Sequence, residues 1–355
     1  MQQTQKIQVS VIVACRNERK YIRDLLDSIC RQHLGGAKIE VLVADGMSDD
    51  GTRQILDLYR RIVLPLRVID NPDKIVSAGL NAAIREARGA IIIRMDAHSE
   101  YAPDYISRCL ETLQETDADN VGGPALTRAE GYLGRAIGLA YHSKFSCGGA
   151  KFHDADYEGY ADTVPYGCWR RATLERIGLF DETLGRNQDD ELNLRLTCAG
   201  GKIWQSPKII SWYRPRASLA DLFRQYFQYG FWKVSVIRKH GKPASWRHLV
   251  PAACLLACIA LLLGAVGASL GGSVWWKATL VATCAAFAAL YLAASGVAAL
   301  LISRKDGWRF LPVLPIVFST YHLAYGFGFL LGLACDLEGH DRESRLRQVL
   351  TTITR

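Results

Sequence analysis

Three stretches without a single Asp, Glu, Lys or Arg dominate the C-terminal part of this 355-residue chain. They run for 28 residues between His248 and Lys277, 26 between Lys277 and Arg304, and 26 between Arg309 and Asp336. A helix needs about 20 apolar residues to span a bilayer, so each stretch is long enough. The first two are rich in Leu, Ala and Val and read as membrane-spanning helices. Pro312, Pro315, His322, Gly326, Gly328 and Gly332 break the uniformity of the third, which either crosses the membrane or re-enters it partway.

Charge is placed as unevenly as apolarity. Residues 1–213 hold 27 Lys and Arg against 29 Asp and Glu, whereas residues 214–248 hold eight basic side chains against Asp221 alone. A basic belt beside apolar segments favours anionic lipid headgroups, by about 1 kcal/mol per residue near the surface. The formal charge of +8 therefore points to membrane lipid, and no nucleic-acid partner is expected. The positive-inside trend puts this belt and the Arg304-Lys305-Arg309 loop in the cytoplasm. Three full crossings would carry Arg342, Arg345 and Arg347 outside, against that trend, so the number of spans stays open. The ten cysteines show no C-x-x-C pair, which fits a reducing compartment. The N-terminus runs directly into a strand with no signal-peptide pattern, so the first unit is expected in the cytoplasm and the whole chain at the inner membrane.

Before residue 213, strand and helix patterns alternate. Apolar runs at Lys6–Cys15, Ile39–Ala44, Leu66–Asp70 and Ala90–Met95 are separated by helical spacing at Tyr21–Arg31, Thr52–Arg61 and Ser77–Arg88. This alternation predicts an α/β domain, a mostly parallel sheet flanked by helices. The expected layout is that domain over 1–213, a basic and aromatic interfacial helix region over 214–248, apolar helices over 249–336 and a tail over 337–355.

Ligands on parallel sheets sit beyond the carboxyl ends of the strands, and the polar clusters fall there. The first strand ends in Cys15-Arg16-Asn17-Glu18. The second ends in Asp45-Gly46-Met47-Ser48-Asp49-Asp50-Gly51-Thr52, where Asp49 and Asp50 also suit a helix N-terminus. The fourth ends in Asp96-Ala97-His98. Neither G-x-G-x-x-G nor G-x-x-x-x-G-K-[ST] follows the first strand, so dinucleotide and P-loop readings lose their support. Carboxylates at strand ends suit a base, a ribose and a divalent metal on a diphosphate.

In this order, and with Gly185-Arg186-Asn187-Gln188-Asp189-Asp190-Glu191-Leu192 downstream, the motifs resemble those of family 2 inverting glycosyltransferases. The resemblance covers residues from about 7 to 200 and implies the nucleotide-sugar-binding fold called GT-A. With its apolar C-terminal part, the whole chain is similar to membrane-bound glucosyltransferases of succinoglycan-type exopolysaccharide synthesis.

The resemblance implies roles residue by residue. Glu18 and Asp45 would contact uridine, with Lys74 and Asn81 approaching the nucleotide. Asp96 and His98 occupy the D-x-D position and would hold Mg²⁺ or Mn²⁺ on the sugar diphosphate. His98 departs from the usual Asp and leaves metal preference open, since imidazole suits transition metals better than Mg²⁺. Asp189 would be the general base, with Asp190 as the alternative. Gly123, Gly167 and Trp169 fall where relatives shape the sugar and acceptor pocket. Gln228 and Trp232 match the Q-x-x-R-W motif of processive relatives, but Phe231 stands where Arg belongs. Arg214, Arg216 and Arg224 are candidates for diphosphate contacts, of the nucleotide or of a lipid carrier. The implied activity is transfer of a sugar, glucose from UDP-glucose and in a β-1,3 linkage, to a polyprenyl-diphosphate-linked oligosaccharide. A processive synthase and a non-catalytic sugar-nucleotide-binding scaffold are the competing readings.

Overall fold

The computed structural model describes residues 7–62, 65–271 and 274–337. Two compact units make up the chain, one from Met1–Arg128 with Ala150–Arg214, the other from Ala129–Gly149 with Pro215–Arg355. The short excursion at 129–149 departs from the expected layout, and so does the basic region after 214, which joins the apolar helices in one unit. Of the tail over 337–355, all but Leu337 lies outside the described residues.

The first unit begins with β1 (Val9–Cys15), α1 (Ile22–Cys30), β2 (Ile39–Asp45), α2 (Thr52–Ile62), β3 (Leu66–Asp70), α3 (Val76–Glu86) and β4 (Ile91–Arg94). These elements match the alternation read from the sequence. Both faces of β1 and β2 are covered, so every residue of β2 is buried and the runs are continuous rather than alternating. Even the polar members of these strands are satisfied: Ser10 Oγ donates to Glu40 at 2.7 Å, and Gly89 N donates to Ser10 Oγ at 2.9 Å.

After β4 come β5 (Ser99–Tyr101), α4 (Tyr105–Glu115), β6 (Asn120–Gly122) and β7 (Ala125–Thr127). The excursion carries α5 (Gly131–Tyr141) and α6 (Lys144–Cys147). The chain then returns through β8 (Gly159–Tyr160), β9 (Cys168–Arg170), α7 (Arg171–Ile177), α8 (Gln188–Cys198), β10 (Ile203–Gln205) and β11 (Ser211–Tyr213). The main sheet has the order β3-β2-β1-β4-β9-β6-β10-β8, and β5-β11-β7 form a second. The first four strands are parallel, whereas β9 runs antiparallel to both β4 and β6. That reversal sets the start of β9, Cys168, opposite Ile93 towards the carboxyl end of β4.

The second unit adds α9 (Leu219–His240), α10 (Val250–Gly271), α11 (Val274–Asp306) and α12 (Leu314–Leu337) to α5 and α6. Three helical segments, Trp246–Ala268, Val274–Asp306 and Leu314–Cys335, are long and apolar enough to cross a membrane. On α10 and α11 large apolar side chains such as Leu262, Leu263, Trp275 and Leu290 point outward. The third segment is continuous despite its prolines, because Pro315 sits in the first turn, where no intrahelical donor is lost. Its glycines serve packing: a side chain on Gly328 would meet the Phe227 carbonyl oxygen at 1.9 Å, and one on Gly230 would meet that of Tyr325 at 2.1 Å. Helices α9 and α12 therefore touch backbone to backbone. The aromatic face of α9, expected at a headgroup boundary, is instead largely covered, with Phe231, Trp232 and Val234 buried. His322 is held by Tyr291 Oη at 2.9 Å from its Nδ1 and by the Phe145 carbonyl at 2.9 Å from its Nε2.

Candidate active site

The loops after β1 and β2 are fastened to each other. Asn17 N donates to Ser48 Oγ at 2.8 Å, Asp49 N to Asn17 Oδ1 at 3.1 Å, Glu18 N to Thr52 Oγ1 at 2.8 Å and Arg19 N to Asp50 at 3.0 Å. Asn17 and Met47 take left-handed conformations to make these turns, in the region where Asn is among the better-tolerated residues. Asp45 anchors the arrangement. Its side chain is 0% exposed, accepts from Ser48 N at 3.0 Å and Ser48 Oγ at 2.5 Å, and pairs with Arg53 Nε at 2.9 Å. The carboxylate organises its own loop.

Glu18 and His98 meet: His98 Nδ1 lies 3.2 Å from the Glu18 carboxylate. The His98 side chain is 50% exposed, and its ring stands edge-on to Tyr21. Lys74 is exposed on a left-handed turn after β3.

The centre of the site is a residue the sequence reading passed over. Arg94 closes β4, and its side chain is only 4% exposed. Nε and Nη2 donate to the two carboxylate oxygens of Asp96 at 3.0 and 3.1 Å, while Nη1 pairs with Asp189. An arginine inside the run Ile91–Met95 was the available signal, because arginine is almost never buried without partners. The two carboxylates raise its already high pKa against the opposing effect of burial. Desolvation pushes the Asp189 carboxyl above its ordinary range. Asp96 adds to that rise and Arg94 opposes it.

Asp189 is placed by several independent ties. Asn187 caps α8 in a left-handed conformation, which puts Asp189 in the first turn. Glu191 is fully buried and pairs with Arg195, whose other donors hold the carbonyls of Ile177 and Leu179. Asn193 accepts from Asn120 at 2.9 Å, and Asn120 accepts from Cys168 N at 3.1 Å, which links α8 to β6 and β9. Asp190 is half-buried on the same turn.

Several expected site residues carry structural tasks. Asn81 is buried and satisfied by both the N–H and the carbonyl of Phe180 and by Glu182, so it fixes the segment before α8. Trp169 is 2% exposed in the core with Ile12, Leu174 and Leu192, and offers no face to a sugar. Gly167 lets the chain cross that ring: its φ is 97°, and a Cβ would lie 2.3 Å from the indole. At Gly123 a Cβ would stand 1.6 Å from the Ile209 carbonyl oxygen. Gln228 and Trp232 are buried within the second unit, with Phe231 between them, so the Q-x-x-R-W match builds no open pocket. Arg214 is engaged by Glu100 at 2.6 Å and Asp24 at 3.6 Å, and Arg224 by Asp221 at 3.2 Å; Arg216 is exposed.

No cluster of three or more His, Cys, Asp or Glu poised for a metal occurs among the described residues. Such a cage is not required where substrate phosphates complete the coordination, since Mg²⁺-type sites use one or two carboxylates plus phosphate and water. Asp96 and His98 share one turn after β4 and both reach solvent, at 30% and 50% exposure. Their carboxylate and imidazole fit such a partial donor set.

A family model described as Glycosyl transferase family 2 matches residues 10–173. Succinoglycan biosynthesis protein ExoA of Rhizobium meliloti (strain 1021) is 33% identical over 258 residues, covering 72% of this chain and 78% of that protein. A Methanococcus voltae protein is 27% identical over 333 residues, covering 92% of this chain and 97% of its own length. Its name is dolichyl N-acetyl-alpha-D-glucosaminyl phosphate 3-beta-D-2,3-diacetamido-2,3-dideoxy-beta-D-glucuronosyltransferase. Among solved structures, the mannosyltransferase PcManGT from Pyrobaculum calidifontis, in complex with GDP-Man and Mn²⁺, gives a TM-score of 0.58 at 21% identity. It covers 91% of this chain and 88% of that one. At that identity the likeness is one of fold.

Proposed function

Because this chain belongs to glycosyltransferase family 2, we propose that it moves glucose from UDP-glucose, with inversion, onto a glycan carried by a polyprenyl diphosphate. Glycan biosynthesis is the activity its relatives share; the donor, the β-1,3 linkage and the lipid-linked acceptor are our reading. That reading is supported by the words succinoglycan biosynthesis in one relative's name and dolichyl in another's, and by a second unit rich in apolar helices. The proposed location is the inner membrane, with the first unit and the basic belt both on the cytoplasmic side.

In the proposed step Asp189 accepts the proton of the acceptor hydroxyl as its oxygen bonds to C1 of the sugar. The bond from C1 to the nucleotide diphosphate breaks on the opposite face, which inverts the anomeric centre. Arg94 holds the Asp189 carboxylate in place and favours its ionised form against desolvation. Asp96 and His98 would hold a divalent cation, Mg²⁺ or Mn²⁺, which when bound neutralises charge on the departing diphosphate. Glu18 would steady His98 through Nδ1.

The observation that carries this reading is that Asp96 and Asp189 are both held by Arg94. Purified full-length chain incubated with UDP- and GDP-sugars, Mn²⁺ and membrane lipid extract tests it. UDP release that depends on both UDP-glucose and lipid extract is expected. No release with any donor would favour a non-catalytic scaffold.

A further inference from the structure

The three long apolar helices of the second unit do not face the same surroundings. On α10 and α11, Leu262, Leu263, Val266, Leu290 and Leu301 are all more than half exposed. On α12, Leu314, Val317, Phe318, Tyr321 and Ala324 form a stripe at helical spacing, and all of them are buried. Helix α9 supplies much of the cover. A side chain on Gly332 would meet the Phe231 carbonyl oxygen at 2.8 Å and Val234 Cγ2 at 3.0 Å, four residues on from the Gly328–Phe227 contact on both helices. The two helices therefore run in the same direction. Towards their starts, the rings of Tyr226 and Tyr321 meet edge-on at 4.3 Å, and Leu222 packs in one cluster with Leu314 and Phe318. Whatever medium α12 passes through, most of α9 passes through as well.

Helix α9 is not built to cross a bilayer. Arg224 and Arg238, exposed near its two ends, stand about 21 Å apart at the helical rise of about 1.5 Å per residue. That is short of a hydrocarbon core of about 30 Å, so a crossing would turn one of them towards lipid tails, where a charge is costly.

The start of α10 gives a second measure. A side chain on Gly326 would meet the Pro251 carbonyl oxygen at 3.0 Å and Leu255 Cδ2 at 3.2 Å, and Ala252 packs with Val234 and Phe329. Arg247 and His248 directly precede α10, whose 22 residues extend about 33 Å and are all needed for one crossing. Its first turn therefore marks the membrane boundary. Gly326 beside it is the middle of the 24-residue α12, which leaves about 18 Å of that helix on either side. Half of α12 does not reach across, and the sequence from Glu338 to Arg347 is too densely charged to complete a span.

We propose that the lipid-facing surface of this unit is the α10–α11 hairpin, which crosses the bilayer and returns, while α12 stays with α9 on the side from which the hairpin enters. Trp275 and Trp276, exposed at the start of α11, then lie at the far interface, where indole rings favour the headgroup level. The 33 residues of α11 extend about 50 Å, roughly 20 Å more than a crossing needs. Its last part, around Ala299, packs on Phe310 and Leu314 at the start of α12, which accounts for the excess. Two crossings also return Arg342, Arg345 and Arg347 to the side of the basic belt, in keeping with the positive-inside trend. The proposal rests on the membrane location proposed above, and on nothing about donor or acceptor.

Reporters fused to the C-terminus of the full chain in bacterial cells test this topology. Green fluorescent protein, which fluoresces only when it stays in the cytoplasm, should be bright, and alkaline phosphatase, which is active only outside, should give background activity. Labelling of intact cells with a membrane-impermeant maleimide reads both sides without a fusion, against the wild type as background. Ser273→Cys, between α10 and α11, should label several-fold above the wild type before the cells are opened, and Ser344→Cys only afterwards. Phosphatase activity at the C-terminus, or labelling of Ser344→Cys in intact cells, overturns the proposal. Labelling of Ser273→Cys only in opened cells overturns it as well, because the hairpin then does not cross. Recovery of the chain in the soluble fraction would sink the proposed location and this topology together, whereas the expected labelling in a chain that transfers no sugar would sink the functional reading alone.

Discussion

Asp96 and Asp189 lie on different edges of one guanidinium: Arg94 donates to both oxygens of the first at 3.0 and 3.1 Å and pairs through Nη1 with the second. In the proposed mechanism, the carboxylate on the metal side and the base are therefore held in one frame. Arg94 supplies that frame from the end of a parallel strand, and α8 supplies Asp189 from the first turn of a helix.

Removing the frame should affect stability and turnover together. Breaking a buried ion pair by deleting one partner costs about 3–5 kcal/mol, and the lower end applies because both carboxylates keep partial exposure. Arg94→Met is expected to lower the melting temperature and abolish transfer. Arg94→Lys should recover part of the stability but little of the turnover, because a point charge cannot span both carboxylates. Thermal unfolding and initial rates on the same preparations check this.

The direction of the Asp189 shift fixes a pH dependence. Desolvation raises its pKa, so the base becomes protonated on acidification above the ordinary Asp value of about 3.9. The rate should be flat at higher pH and fall as pH drops through that raised value. Arg94 opposes the rise, so in Arg94→Lys, where its hold on the carboxylate is weaker, the acid limb should move to higher pH. Rates of nucleotide release across a pH series would show it; an unmoved limb would contradict the assignment.

Trp169 separates core from pocket. Truncating a buried Trp to Ala costs about 3–5 kcal/mol, so Trp169→Ala is expected to lose most of the protein's stability. Trp169→Phe should leave donor and acceptor KM values unchanged while lowering the melting temperature. A selective rise in acceptor KM would restore a stacking role.

His98 should set the metal response. Chelation with EDTA is expected to stop transfer, and Mn²⁺ should restore more activity than Mg²⁺, since imidazole suits transition metals. His98→Asp should shift the preference towards Mg²⁺. Restoration series with the two ions on both proteins measure the ratio.

Much of the first unit was legible because its strands are covered on both faces. Val9–Cys15 and Ile39–Asp45 appear as apolar runs with helical spacing between them. The excursion through α5 was not, since Gly131–Tyr141 looks like any short helix. Its partners, Phe310, Leu314 and Tyr321, lie far along the chain. Motif order located the neighbourhood of Asp96 and Asp189 but says nothing about burial. For that reason motif position alone does not show that Asn81 and Trp169 are buried, or that Arg94, inside an apolar run, is held between two carboxylates. The covering of α9 was hidden for a related reason: an aromatic face looks the same in sequence whether lipid or another helix meets it.

Asp189→Asn tests the central claim most directly, by comparing sugar transfer with UDP affinity in one preparation. The amide preserves size and still meets Arg94 through its oxygen, but it accepts no proton. Transfer is predicted to fall by about 10²–10⁴-fold while the dissociation constant for UDP stays near the wild-type value. Transfer at the wild-type rate in that variant would contradict the account.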